Sequence, residues 1–286
     1  MALTVLTPPP AAPAGDSPFT AAYARLAEVL PGLRVLELGS GEELPQGESW
    51  VTTDELALGG PALEGFLDWD TDQLLRDYGR QARRDVVATF GLHRYAWPAT
   101  LMITFPWFMA RRVPRLPAHT VAFDRRSGRM ALRLGEFACL PDDPAAGLPG
   151  ARVVRDEAAL CDEVRQAVAE HLAPVLSAFG PLMRRRPRAL WGVASDEITE
   201  GLWYVGRLLG QERAGIEAAE QLLPGATAPY PVGAGFRELL TPEGDAFPTR
   251  TRANCCLFYT LRPKDTCVTC PRTCDAERVE RMTGHG

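Results

Sequence analysis

The chain has 286 residues, of which 46% are hydrophobic and 23% charged, and a formal charge of −5. It is long enough to bury one sizeable core or two smaller ones, and its charge excludes a nucleic-acid binder working through net positive charge. Lys264 is the only lysine among 31 cationic residues, so almost every fixed positive charge is a planar guanidinium suited to anionic ligands.

Residues 1–18, rich in Pro and Ala, read as a disordered leader; their four-residue apolar run lacks the basic flank of a signal peptide. The most apolar stretch, 97–110, is broken by Pro98 and Pro106 and followed by Arg111 and Arg112. No segment reaches the roughly 18–20 apolar residues that span a bilayer. A cytoplasmic protein is expected, and in that compartment cysteines stay reduced.

Helical spacing over 19–30 ends at Pro31-Gly32, and 34–38 suits a short strand. A second helix is expected over 70–90, with Leu74, Leu75, Tyr78 and Val86 on its apolar face. The aromatic stretch 93–108 belongs to the core. Residues 120–134 predict a β-hairpin with Asp124 and Gly128 framing the turn. The turn residues of 141–150 mark a loop that divides a mixed first half from a helical second half.

Asp156 is placed to cap a helix running to about Phe179, with Leu160, Val164, Ala167, Val168, His171 and Leu172 as its stripe and Pro174 as a kink or stop. Helices over 190–209 and 211–223 follow. Residues 224–249 lack periodicity and read as a connector. The expected fold is α+β: a leader (1–18), a mixed α/β region with a hairpin (19–145), a helical region (146–249) and a small cysteine-clamped segment (250–286).

That last segment carries the chemistry. Five of the seven cysteines fall in the last 32 residues, and in a reducing compartment such crowding points to metal or redox chemistry before disulfides. The candidate ligands are Cys255, Cys256, Cys267 and Cys270, with Cys274 able to replace one of them. A Cys-x-x-Cys turn lets two thiolates converge on one metal atom, and Pro271 stiffens its exit. In a strand, vicinal side chains point to opposite faces, so Cys255 and Cys256 share a site only if the backbone turns there. A [2Fe–2S] cluster spreads its ligands over two irons and tolerates a vicinal pair better than tetrahedral zinc does; softness alone permits both. Cys139 and Cys161 stand apart and read as small buried hydrophobes.

The motif Cys-Cys-x10-Cys-x2-Cys, with Arg252 upstream, Leu257 and Tyr259 after the pair and Pro271 behind Cys270, resembles the C-terminal iron–sulfur motif of FhuF-type ferric-siderophore reductases. Leu190-Trp191-Gly192-Val193-Ala194-Ser195 is similar to a helical signature from the middle of that family. The first ninety residues add nothing to the likeness, and Cys274 departs from its pattern. The resemblance implies an oxidoreductase with a [2Fe–2S] cluster on Cys255, Cys256, Cys267 and Cys270. Its substrate would be a ferric-siderophore, reduced by one electron so that Fe(II) is released. Its donor would be an external ferredoxin-like protein or reductase. Backbone N–H groups of 264–269, with Arg252, are expected to tune the sulfurs.

Other readings are a zinc-stabilised, non-enzymatic binding module, and a cluster protein of siderophore assembly or sensing. Val35 to Gly41 imitates the glycine-rich motif of S-adenosylmethionine-dependent methyltransferases, with Thr52-Thr53-Asp54-Glu55 as its acidic strand end. Only nine residues separate Gly41 from Val51, too few for a parallel crossover. His93, His119, His171 and His285 sit in no nucleophile or metal motif. Asp196-Glu197 is no acid/base pair, because adjacent helical residues diverge by about 100°. Trp191 reads as a core aromatic. Arg184, Arg185, Arg186 and Arg188 read as a solvated helix end, able to attract an anionic siderophore.

Overall fold

A computed structural model describes residues 17–39, 41–47, 49–263 and 265–283. The leader over its first sixteen residues, Ser40 of the glycine-rich decoy, Lys264 and His285 lie outside the described residues. The architecture is α+β, as expected.

Helix α1 (Thr20–Val29) turns Ala22, Tyr23 and Leu26 into the core and stops before Pro31-Gly32. Strand β1 (Arg34–Leu38) follows, then β2 (Trp50–Thr52), and Thr52 closes a capping box with Glu55 at the start of α2 (Thr53–Leu58). The expected helix over 70–90 is two helices. α3 (Gly60–Tyr78) ends on Gly79, whose φ of 64° is the left-handed conformation glycine adopts at no steric cost. α4 (Arg84–Ala110) then runs unbroken through Pro98 and Pro106. Its residues 95–108 are buried on nearly every side, as a central helix requires.

Short strand β3 (Val113–Pro114) precedes the hairpin of β4 (Val121–Asp124) and β5 (Arg129–Arg133). Asp124 accepts from the Arg126 N–H and the Ser127 hydroxyl, and Gly128 carries the positive φ of 68°. The sheet order is β1-β5-β4-β2, with β1 parallel to β5 and β2 antiparallel to β4. The two strands of the methyltransferase decoy thus occupy opposite edges, with no crossover between neighbours. β6 (Phe137–Cys139) joins β3 to β7 (Ala151–Val153) in a second sheet.

Asp156 accepts from the Ala159 N–H at 2.9 Å and starts α5 (Glu157–Met183), which passes Pro174 and Pro181 and outlasts the expected end at Phe179. α6 (Pro187–Leu208) and α7 (Glu212–Leu222) come close enough at Gly206 and Gly215 that an added Cβ on Gly215 would lie 2.5 Å from the Leu202 carbonyl oxygen. The expected connector holds an antiparallel hairpin, β8 (Phe236–Leu240) with β9 (Ala246–Arg250), and α8 (Asp275–Thr283) follows the cysteines. α4 packs against α3, α5 and α6, and one hydrophobic cluster extends from Phe19 to Leu261. Among the described residues no helix is long and apolar enough to cross a membrane.

Candidate metal centre

The site is built on a buried acidic face of α6. Asp196 is fully buried, a costly place for a carboxylate unless its oxygens are saturated. They are. Asp196 accepts from Arg250 Nη2 at 2.5 Å, from the Ala253 N–H at 2.9 Å and from the Asn254 N–H at 3.0 Å. One turn on, Glu200 accepts from Arg250 Nη1 at 2.8 Å and the Thr269 hydroxyl at 3.0 Å. Asn254 also donates from its amide to the Ala189 carbonyl at 2.8 Å. This docking needs Gly192, where a Cβ would fall 2.3 Å from Asn254 Nδ2. The signature over 190–195 is therefore the surface on which the cysteine loop lies.

The vicinal pair turns where it must. Leu257 adopts φ 63°, ψ 9°, a left-handed conformation that reverses the chain directly after Cys256. Its N–H and that of Phe258 are then aimed back at the sulfurs of Cys255 and Cys256 respectively. The second loop closes on itself, Cys270 N–H donating to the Cys267 carbonyl at 3.0 Å, and is tied to the first by Arg252 N–H to the Thr269 carbonyl at 2.9 Å. The Arg272 N–H reaches Cys270 Sγ at 3.4 Å. From α8, buried Arg278 donates to the carbonyls of Cys270 and Arg250, both at 2.9 Å.

These ties place Cys255, Cys256, Cys267 and Cys270 near one another. The Cys256 and Cys267 thiols interact, so that, against burial, the Cys256 thiol is held below its ordinary range and Cys267 is pushed up. Burial raises Cys255. Among the described residues no three side chains of Cys, His, Asp or Glu are drawn in tightly around a single metal position. The donor set is all sulfur, with backbone N–H groups already directed at three of the four sulfurs. That chemistry fits an iron–sulfur group, whose charged sulfurs accept such hydrogen bonds. Cys274 is exposed at the head of α8, its N–H donated to Glu277 at 3.1 Å, whereas Cys270 is buried. Cys139 and Cys161 are buried with thiols raised by burial, as expected of small hydrophobes.

Two charged groups border the thiols. Burial opposes the charge of Arg252, yet Glu197, Asp196 and Glu200 hold its pKa above the ordinary value, and it lies within electrostatic reach of Cys256 and Cys267. His93, on α4, meets buried Glu197 at 2.8 Å through Nδ1, and the carboxylate raises its pKa. Trp191 is half-buried with its ring edge-on to Tyr230, 5.7 Å away. Arg184, Arg186 and Arg188 are exposed at the α5–α6 junction. Sequence reasoning missed Asp196, Glu200, Arg250, Asn254 and Arg278 as supports, and His93-Glu197 as neighbours. The available signal was three carboxylates, Asp196, Glu197 and Glu200, on a helix otherwise apolar on that side. The Arg272 N–H that reaches Cys270 Sγ lies beyond the 264–269 turn expected to supply donors, and Lys264 of that turn is outside the described residues.

Among curated proteins no match is found. Residues 252–272 match the family model described as the FhuF 2Fe-2S C-terminal domain, over the stretch that holds the left-handed turn and Cys255, Cys256, Cys267 and Cys270. Over those residues the cysteine-bearing end of this chain is similar to a FhuF 2Fe-2S C-terminal domain.

Proposed function

We propose that the protein is a ferric-siderophore reductase in which Cys255, Cys256, Cys267 and Cys270 ligate the [2Fe–2S] cluster. A FhuF-type domain suggests a redox role and a siderophore-iron reductase. What supports the finer reading is that the two loops carrying these cysteines lie near each other, tied to α6 and α8, within the stretch that matches the 2Fe-2S family model. Bound there, a [2Fe–2S] cluster supplies a one-electron couple. The chain's own part is to hold the thiolates, to direct N–H groups at their sulfurs, and to leave Cys255 and Cys256 only half-buried, where a bulky complex has access. A siderophore holds Fe(III) through hard oxygens, and adding one electron lowers the metal's charge and weakens those bonds. The substrate takes one electron and becomes ferrous, and an external ferredoxin-like protein or reductase replaces it.

The test is the visible spectrum of anaerobically purified protein with iron and sulfide assays, before and after dithionite, followed by addition of ferric-siderophores. About two irons and two sulfides per chain are expected, with a chromophore that bleaches on reduction and recovers when a ferric-siderophore is added. A colourless protein holding one zinc after attempted reconstitution would leave a zinc-held binding module. A reduced chromophore that no ferric-siderophore reoxidises would refute the reductase.

A further inference from the structure

Directly beyond the vicinal cysteines, the 3-10 turn Phe258–Thr260 presents two aromatic rings beside the site. Phe258 packs edge-on against Tyr78 of α3 with centroids 5.7 Å apart, and Tyr78 packs in turn against Phe90. Over these rings lie two guanidiniums: Arg262 stands 5.7 Å from the Tyr78 centroid, and Arg272 stands 4.2 Å from that of Tyr259. Both arginines are exposed. Among the described residues neither is in ion-pair contact with a carboxylate, in contrast to nearby Arg83, which is bound by Asp85 at 3.0 Å.

In a chain of net charge −5, two exposed cations without a carboxylate partner beside a redox site are open to an anion. Stacking has already restricted each guanidinium while leaving its N–H edge free for oxygen acceptors, so ordering on binding is reduced. The Arg272 backbone N–H lies 3.4 Å from Cys270 Sγ, so a ligand held by that guanidinium sits beside the cysteine loops. Two cations set among three aromatic side chains offer guanidinium edges to the planar oxygen donors of a small anion. A protein partner would draw on a broader spread of charge.

Resting on the reductase reading, we propose that the Arg262–Tyr78 and Arg272–Tyr259 pairs form the substrate-binding rim, and that they select ferric complexes of net negative charge over neutral ones. The step balances as before: the bound Fe(III) complex gains one electron, and no bond to the protein forms or breaks.

The test uses gallium(III) complexes, which bind but are not reduced. Gallium(III) tris(catecholate) and a neutral gallium(III) trihydroxamate are titrated into the cluster-loaded full chain and into Arg262→Gln, Arg272→Gln and the double variant, at two salt concentrations. The wild type should hold the anionic complex at least about tenfold tighter than the neutral one, with the preference shrinking in salt. The double variant should lose about tenfold or more for the anion alone, with an unchanged visible spectrum. In dithionite-driven turnover of the ferric counterpart its KM should rise while kcat holds. Equal binding of both complexes, or binding indifferent to both substitutions, would overturn the proposal. So would intact gallium binding combined with loss of reduction only when a protein donor replaces dithionite, since the rim would then dock the donor. If the arginine-dependent preference is found but no ferric complex is ever reduced, the rim stands and the reductase reading falls.

Discussion

Replacing Asp196 with Ala tests whether α6 supports the cysteine loop. The substitution removes one carboxylate and strands three donors: Arg250 Nη2 and the N–H groups of Ala253 and Asn254. Arg250 is only 1% exposed, so water cannot replace the lost partner, although Glu200 still holds Nη1 at 2.8 Å. Breaking a buried ion pair from one side costs about 3–5 kcal/mol. That is a large share of the roughly 5–15 kcal/mol that stabilises an ordinary domain. The expected outcome is an unfolding free energy, from urea titration, lower by that amount, with iron lost to a chelator much faster than in the wild type. A double change, Asp196→Leu with Arg250→Met, should recover the part due to the stranded guanidinium but not the part due to the two loop amides. It should therefore fold better than Asp196→Ala and still lose iron quickly. If Asp196→Ala keeps both the wild-type midpoint and its iron, the anchoring argument is wrong.

Cys256→Ser and Cys270→Ser should each reduce bound iron and alter the visible spectrum, whereas Cys274→Ser should leave both unchanged; the reverse pattern would place Cys274 in the ligand set. His171 is fully buried between Tyr95 and the Leu116 carbonyl, and burial pushes it down to about 4 from 6.5. A depressed folded pKa means that the unfolded chain takes up the proton first, so stability held above pH 6.5 should fall by roughly 3 kcal/mol as pH drops towards 4. Urea unfolding at pH 7 and pH 5, compared with His171→Gln, isolates that slope, and equal slopes would refute it. Gly215→Ala sets a Cβ 2.5 Å from a backbone oxygen that cannot rotate away and should cost about 1–3 kcal/mol by overpacking α6 against α7. Gly192→Ala meets the movable end of Asn254 instead. It should leave the global midpoint nearly unchanged but speed iron loss, because the Asn254–Ala189 hydrogen bond is given up.

What could be read in advance was written locally. A Cys-x-x-Cys turn, an aspartate before a helix and a glycine after a β-turn each act within a few residues, and Asp156, Gly128 and the cysteine motif were legible for that reason. The β1 strand and the α6 and α7 helices were also close to expectation, since their apolar spacing is regular. The failures are non-local. The break between α3 and α4 turns on Gly79, which the amphipathic pattern on both sides conceals. The β8–β9 hairpin was missed because Pro248 and mixed polarity erase the alternation of β9, which pairs with β8 all the same. His93 and Glu197 meet across 104 residues, and Arg250 reaches Asp196 across 54; no periodicity announces such pairs.

Asp196 shows why the support of a metal site is harder to read than its ligands. Thiolate ligands are constrained by the metal's own geometry, so their spacing is visible in the chain whatever surrounds them. A carboxylate that holds the loop is constrained by partners far away in sequence, and on a helix it looks like any solvated acid. The structure reverses that reading: the face of α6 bearing Asp196, Glu197 and Glu200 is turned inward, and its charges are matched by Arg250, the loop amides, His93 and Thr269. The cysteine loops form few hydrogen bonds with each other and more with α6 and α8. Excised alone, they would have to order themselves against their full conformational entropy with little to offset it. The working unit is therefore the cysteine segment together with the helix that carries Gly192 and Asp196, and substitutions on that helix should change cluster retention before they change the thiols themselves.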